Sequence, residues 1–273
     1  MLNIKNLSVA VAAASIFVMP GSGLAAKSEP VTPKSALATE ATSAKPAEPY
    51  IKRTPKDGVF KVVVLGDSLA DGLYAGLRRL NKDNDAIAIK KKSKVNTGLV
   101  RTDRYNWNKG TKKIARSGKF QVAVVLLGLN DLQSIREKGK AHHFQQKGWV
   151  ERYEKRLEAM ITDLKAANLA VYWVSIPITS PKRYQKEYAY MNTFYRKAAE
   201  KHGIRYVDTW SGLQAKNGSY TPYWRDKNGK KHNIRNRDGV HFTPDGYMVF
   251  AGFLNDVLQK DISAVTNKQA AKQ

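Results

Sequence analysis

From residue 59 onward, short apolar runs alternate with longer stretches in which apolar residues recur at helical spacing. The run FQVAVVLLG, residues 120–128, is continuously apolar, as expected for a strand that is covered on both faces of a parallel sheet. The stretch WVERYEKRLEAMITDLKAA, residues 149–167, has the period of an amphipathic helix. Strands that alternate with helices predict an α/β fold with a mainly parallel sheet and right-handed crossovers.

The other predicted elements follow from the same two periods. Apolar runs predict strands at residues 60–66, 86–93, 169–177 and 204–210, and helical spacing predicts helices at residues 69–80, at 188–202 and from Pro244 onward. The stretch from Trp210 to Arg237 is rich in Gly, Asn, Lys and aromatic residues and predicts a long loop. Because functional side chains gather at the carboxyl ends of parallel strands, a site is expected in the residues that directly follow the strands.

The two ends of the chain differ in composition from its middle. Residues 1–26 contain a lysine, a short apolar run and then small residues, a pattern typical of a cleaved Sec-type signal peptide. A transmembrane anchor is the alternative, but the apolar run is shorter than the ~20 residues that a bilayer requires. Residues 27–57 predict a flexible tether rich in Pro, Ala, Ser and Lys, residues 58–262 the folded domain, and residues 263–273 a polar tail. We therefore expect a periplasmic or secreted protein with no membrane anchor after signal cleavage.

The chain carries 47 Lys and Arg residues against 23 Asp and Glu residues, a formal net charge of +24. This charge favours anionic partners, and for an exported protein an anionic envelope polymer is the expected one. A basic face that only contacts solvent is the alternative, and no motif of specific nucleic-acid recognition is present. The absence of cysteine excludes disulfides and thiolate catalysis, and His142, His143 and His232 lack metal-ligand spacing. Neither a metal nor a cofactor is therefore predicted.

Three short motifs contain the residues of a nucleophilic site. They are GDSL at residues 66–69, GLND at residues 128–131 and RDGVHFTPDGY at residues 237–247. A serine hydroxyl becomes a nucleophile when an imidazole accepts its proton, and a carboxylate holds that imidazole in the required tautomer. Ser68, His241 and Asp238 are the residues predicted for these roles. Taken singly, Ser68 as a helix N-cap and Asp238 in an ordinary turn are the structural alternatives.

An ester carbonyl that is attacked by serine becomes an oxyanion, which needs hydrogen-bond donors. The backbone N–H of Ser68, at a helix N-terminus, is one candidate. The side-chain amide of Asn130 is a second, and the N–H of Gly98 in VNTGLVR is a third. For Asn130 a helix cap, and for Gly98 a turn position, are the structural alternatives.

Together these motifs resemble those of the SGNH (GDSL-like) hydrolases over most of residues 61–258. The family's four named residues and its acid match Ser68, Gly98, Asn130, His241 and Asp238. The similarity is closest to an exported branch whose tail motif matches Gly229 to Thr243. Ala70 stands where the G-x-S-x-G elbow of other α/β-hydrolases has its second glycine. The resemblance implies a flavodoxin-like, three-layer α/β/α fold around a mainly parallel five-stranded sheet.

The resemblance also implies a serine esterase that uses neither metal nor cofactor. For an exported basic protein we expect acyl esters, above all O-acetyl groups, on an envelope polysaccharide or peptidoglycan. Three alternatives stay open: an O-acyltransferase with the same triad, a lipase or thioesterase, and a catalytically silent protein that binds an envelope glycan.

Substrate contacts are predicted for five further side chains. Arg235 lies in the tail motif, where an exposed loop arginine is the alternative, and Asp67 directly precedes the nucleophile. The rings of Trp210, Tyr223 and Trp224 lie in the predicted long loop and are of a type that stacks on sugars. Packing into the core is the alternative for these rings.

Overall fold

The computed structural model describes residues 48–271. The predicted signal peptide at residues 1–26 and residues 27–47 of the predicted tether lie outside the described residues. The strands are β1 (Phe60–Gly66), β2 (Ile87–Lys91), β3 (Val122–Leu126), β4 (Ile135–Glu137), β5 (Lys140–His142), β6 (Ala170–Val174), β7 (Arg205–Val207), β8 (Tyr223–Arg225) and β9 (Lys231–Asn233). The helices are α1 (Ser68–Leu80), α2 (Trp107–Arg116), α3 (Lys147–Ala166), α4 (Lys182–His202) and α5 (Pro244–Ala270).

Five strands form the central sheet in the order β2-β1-β3-β6-β7, and every neighbouring pair is parallel. The register places Val62 of β1 beside Ile89 of β2 on one side and Val122 of β3 on the other. The predicted α/β fold with a mainly parallel five-stranded sheet is confirmed, and the sheet is in fact wholly parallel.

Both faces of the sheet are buried, because successive side chains of a strand point to opposite faces. On β1, Val62 and Val64 belong to the core layer that also contains apolar residues of α1 and α5. Val63 and Leu65 belong to the opposite layer, with residues of α2, α3 and α4. The continuous apolar runs in the sequence therefore reflect strands that are covered on both sides.

The strand order changes direction between β1 and β3, since the chain passes from β1 outward to β2 and then returns to the other side of β1. Loops that follow strands on either side of such a switch point diverge and leave a crevice at the carboxyl edge of the sheet. The loop after β1 leads into Ser68, and the loop after β3 contains Asn130. The topology thus brings two of the sequence motifs to one crevice.

The predicted long loop between Trp210 and Arg237 is only partly correct. It contains a short 3₁₀ helix (Ser211–Leu213) and the antiparallel hairpin formed by β8 and β9. Each strand of this hairpin has three residues, too few to produce a readable alternation. Helix α4 also begins earlier than predicted, at Lys182.

The predicted boundaries at the two ends need correction. Helix α5 continues through Ala270, and Val265 is buried, so most of the predicted polar tail at 263–273 is helical. The last part of the predicted tether is also docked, since Ile51 is 1% exposed. None of the helices among residues 48–271 has the length and apolar character that crossing a membrane requires.

Candidate active site

Ser68, His241 and Asp238 form a continuous chain of hydrogen bonds. The Ser68 Oγ lies 2.9 Å from the His241 Nε2, and the His241 Nδ1 lies 2.7 Å from the Asp238 Oδ2. These contacts fit an imidazole that donates its Nδ1–H to the carboxylate and accepts the serine proton at Nε2, the tautomer assigned from the network. The three side chains can therefore generate a serine nucleophile.

The turn from Asp238 to His241 holds the carboxylate and the imidazole in this geometry. The Asp238 Oδ1 accepts the backbone N–H groups of Val240 and His241, each at 2.9 Å. Gly239 between them has a φ of +65°, which glycine adopts at little cost. Partial burial alone would raise the pKa of Asp238, but the hydrogen bonds from His241 and from the two N–H groups outweigh it and lower the pKa. Asp238 therefore stays ionised and able to stabilise an imidazolium.

Arg235 packs against the buried side of this turn. It is not exposed to substrate, so its predicted contact with substrate is wrong. It is 2% exposed, and its guanidinium donates to the carbonyl oxygens of Val240 and Ile178, each at 2.7 Å. The guanidinium also stacks over the ring of Phe242. Burial lowers the pKa of Arg235 to about 10. Arg235 thus ties the His241 turn to the segment that follows β6.

Asp67 is likewise buried, at 1% exposure, and its predicted contact with substrate is wrong. It is the N-cap of α1 and accepts the N–H of Leu69 at 3.1 Å. Its other oxygen accepts the N–H of Leu129 at 3.2 Å. Asp67 therefore joins the start of α1 to the loop that carries Asn130, and this is a positioning role.

Two of the three predicted oxyanion donors, Gly98 and Asn130, lie on adjacent loops. The Asn130 side-chain amide donates to the carbonyl oxygen of Thr97 at 2.9 Å, so one of its two N–H bonds is used to fix its orientation. Gly98 follows Thr97 directly, and a Cβ on it would lie 2.0 Å from the Asp131 Oδ1. The hydrogen bond from Asn130 to Thr97 therefore joins the loop after β3 to the loop after β2, next to Gly98.

Asp131 is the residue that sequence reasoning missed as a positioning residue. Its carboxylate is fully buried and accepts the backbone N–H groups of Leu99 and Val100, each at 3.0 Å. It also accepts the hydroxyl of Tyr153 at 2.9 Å. Burial raises the pKa of Asp131, although these hydrogen bonds act in the opposite direction. The only signal in the sequence was the position of this carboxylate directly after Asn130, where a helix cap was the structural alternative. The element that follows is the β4–β5 hairpin and not a helix.

The carbonyl groups of the same loop are held by Arg156 of α3. Its guanidinium donates to the carbonyl oxygens of Leu99 and Val100, at 2.6 and 3.1 Å. It is also paired with Glu137 in the β4–β5 hairpin. The Leu99–Val100 peptide group therefore has partners on both its donor and its acceptor side, which fixes the direction of the loop after Gly98.

The three predicted sugar-stacking rings are not grouped at Ser68. Trp210 and Trp224 pack against the core, so core packing, their alternative interpretation, describes these two residues. Tyr223 is 43% exposed, but the Lys231 Nζ lies 3.6 Å from the centre of its ring and covers one face. A cleft of about 550 Å³ is lined by Tyr223 and Trp224 and by neither Ser68 nor His241. Among residues 48–271, no group of three or more His, Asp or Glu side chains is placed to hold a metal ion.

Comparison with known proteins gives both a family and a fold. A sequence-family profile described as "Protein of unknown function (DUF459)" matches residues 61–257. No curated protein matches the chain in sequence. Among solved structures, the chain is similar to a GDSL-like lipase from Bacteroides thetaiotaomicron, with a TM-score of 0.54 and 15% identity over 76% of this chain and 92% of that one.

Two carbohydrate esterases have the same architecture. A mutant acetyl-xylooligosaccharide esterase from a Geobacillus species has a TM-score of 0.51 and 16% identity over 74% of this chain and 94% of that one. A carbohydrate esterase family 3 protein from Talaromyces cellulolyticus has a TM-score of 0.51 and 15% identity over 76% of this chain and 99% of that one. At these identities the likeness establishes the fold, and it confirms the predicted resemblance to the SGNH (GDSL-like) hydrolases at that level.

Proposed function

We propose that this chain, which belongs to the DUF459 family of proteins of unknown function, is a serine ester hydrolase. The observation that carries the proposal is the contact of 2.9 Å between the Ser68 Oγ and the His241 Nε2, with Asp238 on the far side of the imidazole. A serine that serves only as a helix N-cap needs no such partner. Moreover, the N-cap of α1 is Asp67, which leaves the Ser68 hydroxyl free for chemistry.

In the proposed reaction the Ser68 Oγ attacks the carbonyl carbon of the ester while its proton passes to the His241 Nε2. The tetrahedral intermediate collapses when the imidazolium returns that proton to the leaving alkoxide, which departs as an alcohol. Water then attacks the acyl-enzyme with His241 as general base. The acid is released, and the Ser68 hydroxyl is regenerated. Asp238 orients the imidazole and stabilises its positive charge in both halves of the reaction.

The oxyanion in this scheme is stabilised by the N–H of Ser68, the N–H of Gly98 and the amide of Asn130. The bonds from Asp131 and Arg156 support this assignment because they fix Leu99 and Val100, which directly follow Gly98, before substrate arrives. Donors that are oriented in advance stabilise developing charge without reorganising during the reaction.

As substrate we propose O-acetyl esters on an envelope polysaccharide. Two proteins with this fold are named as carbohydrate esterases, one of them for acetylated xylooligosaccharides, which supports this substrate class. The signal peptide and the resulting periplasmic or secreted location remain predictions from the sequence. They are consistent with a polymer substrate outside the cytoplasm.

The direct test is turnover of p-nitrophenyl acetate by the wild-type protein and by Ser68→Ala. We expect the substitution to lower kcat by about 10⁴-fold or more, since it removes the nucleophile. A serine-directed phosphonate should label Ser68 in the wild-type protein and leave Ser68→Ala unlabelled.

Ser263→Ala is the matched control, because Ser263 is an exposed serine in α5. It should keep wild-type turnover and labelling. The esterase proposal fails if wild type and Ser68→Ala hydrolyse the ester equally and the phosphonate does not react with Ser68.

A further inference from the structure

A groove of about 750 Å³ lies between the edge strand β2 and the C-terminal end of α2. Ile114 and Phe120 supply its apolar part, and none of the described residues that line it is acidic. Its basic lining comes from β1, from β2 and the residue after it, from α2 and from the loop before β3. These residues are Lys61, Lys90, Lys91, Lys92, Lys113 and Lys119.

Most of this charge is not neutralised by the protein. The Lys61 Nζ lies 2.7 Å from Asp57, and the Lys91 Nζ lies 3.0 Å from Asp71. Within residues 48–271 the other four lysines of the groove have no carboxylate partner. A concave surface with several uncompensated charges of one sign concentrates counterions of the opposite sign.

Protection of the sheet edge does not account for the groove. Lysines on an edge strand prevent unwanted pairing with other strands, and Lys90 and Lys91 of β2 fit that role. Lys113 and Lys119, however, belong to α2 and to the loop before β3, neither of which is a sheet edge. Their convergence with the β2 lysines on one cavity points to an anionic ligand.

The lysine groove follows β2 from the amino end of the sheet, where Lys61 and Lys119 lie, towards the carboxyl end. After β2, the N–H of Lys92 donates to the carbonyl of Val64 at 2.9 Å, and the N–H of Lys94 donates to the carbonyl of Gly66 at 2.8 Å. The chain therefore stays beside β1, at the strand spacing of about 4.8 Å, as far as Gly66, two residues before Ser68. Lys92 follows the last residue of β2, so this end of the groove lies at the carboxyl ends of the strands, as Ser68 does.

We propose that the lysine groove binds an acidic polysaccharide, whose chain runs along β2 and presents an O-acyl ester to Ser68. This inference rests on the proposed esterase function and adds a carboxylate-bearing chain to the description of its substrate. Uronate carboxylates along a linear glycan would pair with Lys90, Lys92, Lys113 and Lys119.

The composition of the groove favours a glycan over a nucleic acid. Its one ring, Phe120, is 8% exposed and offers no platform on which a base could stack. Nucleic acids also carry no O-acyl ester for Ser68 to hydrolyse.

The test begins with binding, which needs no catalysis. Calorimetry at low salt measures the affinity for decameric oligogalacturonate of the full chain that carries Ser68→Ala. The measurement is repeated after K90Q/K113Q/K119Q is added to that variant. The matched control is K112Q/K155Q/K201Q, which removes the same charge from a cleft also lined by Glu151, Glu154 and Glu158. Since exposed ion pairs are individually weak, we expect a loss of about 10-fold for the groove triple and less than about 2-fold for the control triple.

Equal losses in the two triples would overturn the proposal, because they would indicate attraction by net charge alone. A single-stranded DNA of equal charge that binds as tightly, and weakens equally with the groove triple, would assign the groove to polyanions in general and also overturn it.

Turnover separates this proposal from the esterase assignment. The ratio of kcat/KM for O-acetylated polygalacturonate to kcat/KM for p-nitrophenyl acetate should fall about 10-fold in the groove triple and stay at the wild-type value in the control triple. An unchanged ratio in the groove triple would overturn the proposal while the esterase remains. Absence of all turnover in the wild type would overturn the esterase, and the binding result would then stand by itself.

Discussion

At the scale of single residues, the buried carboxylate of Asp67 affects both the site and the stability of the fold. Its side chain joins Leu69 at the start of α1 to Leu129 in the loop after β3. Burial raises the pKa of Asp67 to about 7, against the hydrogen bonds it accepts and with a further increase from the nearby Asp131. The proton equilibrium of this group is therefore linked to folding near neutral pH.

We expect the free energy of unfolding to fall as the pH rises from 5 to 7, and this fall to be smaller in Asp67→Asn. An unfolded aspartate has a pKa of about 3.9, so between this value and about 7 the native protein holds a proton that the unfolded chain has released. Raising the pH through this range removes that stabilisation, by about 2 kcal/mol between pH 5 and pH 7. Urea unfolding at pH 5, 6 and 7 measures the difference.

The comparison is between slopes, because an asparagine side chain has only one acceptor oxygen and cannot replace both oxygens of Asp67. The variant therefore carries an added destabilisation that does not depend on pH. Asp83→Asn, an exposed site in the loop between α1 and β2, should follow the wild-type pH dependence. Parallel curves for the wild type and Asp67→Asn would show that Asp67 does not bind a proton in the native protein.

The sequence identified single residues well where one short turn determines the geometry. Asp238 and His241 are three positions apart, so a tight turn is enough to bring their side chains together. Arg235 and Asp67 differ because their partners, Ile178 and Leu129, are 57 and 62 positions away along the chain. A sequence pattern does not show which distant carbonyl or N–H group will bury a charged side chain.

At the scale of elements, the loop after β2 behaves as a preformed unit. Its N–H groups bind Asp131 and its carbonyl groups bind Arg156, so the loop after β3 and helix α3 both hold it. The Tyr153 hydroxyl also fixes Asp131 from α3. Any displacement of Asp131 should therefore move the peptide of Gly98.

Gly98→Ala tests this unit. The new Cβ would lie 2.0 Å from the Asp131 Oδ1, so the loop or the carboxylate must move. A displacement of about 1 Å in an oxyanion donor is expected to lower kcat for p-nitrophenyl acetate by about 100-fold. Because the loop between β2 and α2 contains no helix or strand, the far-ultraviolet circular dichroism spectrum should stay that of the wild type.

Gly252→Ala is the control for adding a methyl group. A Cβ on Gly252, within α5, meets nothing within 4 Å, so we expect wild-type kcat and a gain in stability of about 0.5–1 kcal/mol. Wild-type kcat in Gly98→Ala would remove Gly98 from the oxyanion assignment.

A helix or strand could be predicted from the sequence when its apolar residues recur with the spacing of that element. Strands β3 and β6 are continuously apolar, β1 is so apart from Lys61, and all three were identified because both faces of these strands are buried. The hairpins β4–β5 and β8–β9 have three residues in each strand and were missed. The last turns of α5 were missed for a related reason, since most of their side chains are polar and only the buried Val265 marks the packed face.

At the scale of the whole molecule, the segment before β1 packs against the amino ends of β6 and β7, whereas the site lies at the carboxyl ends of the strands. The Tyr50 hydroxyl accepts the N–H of Arg205 in β7 and donates to the carbonyl of Val171 in β6. Its ring meets the ring of Tyr172 edge to face, and Ile51 beside it is fully buried. Composition alone predicted a tether here, because the polar residues around these two side chains hide their contacts with distant strands.

We therefore expect Tyr50→Ala to lower the free energy of unfolding by about 3 kcal/mol, through loss of ring packing and of both hydrogen bonds. Tyr50→Phe keeps the ring and should lose about 1 kcal/mol. Urea unfolding measures both values, and kcat for p-nitrophenyl acetate should remain at the wild-type level, since β6 and β7 contact Tyr50 near their amino ends and the site lies at the carboxyl ends. If both variants unfold at the wild-type urea midpoint, the docked segment contributes nothing to the fold, and the predicted tether would extend to β1 after all.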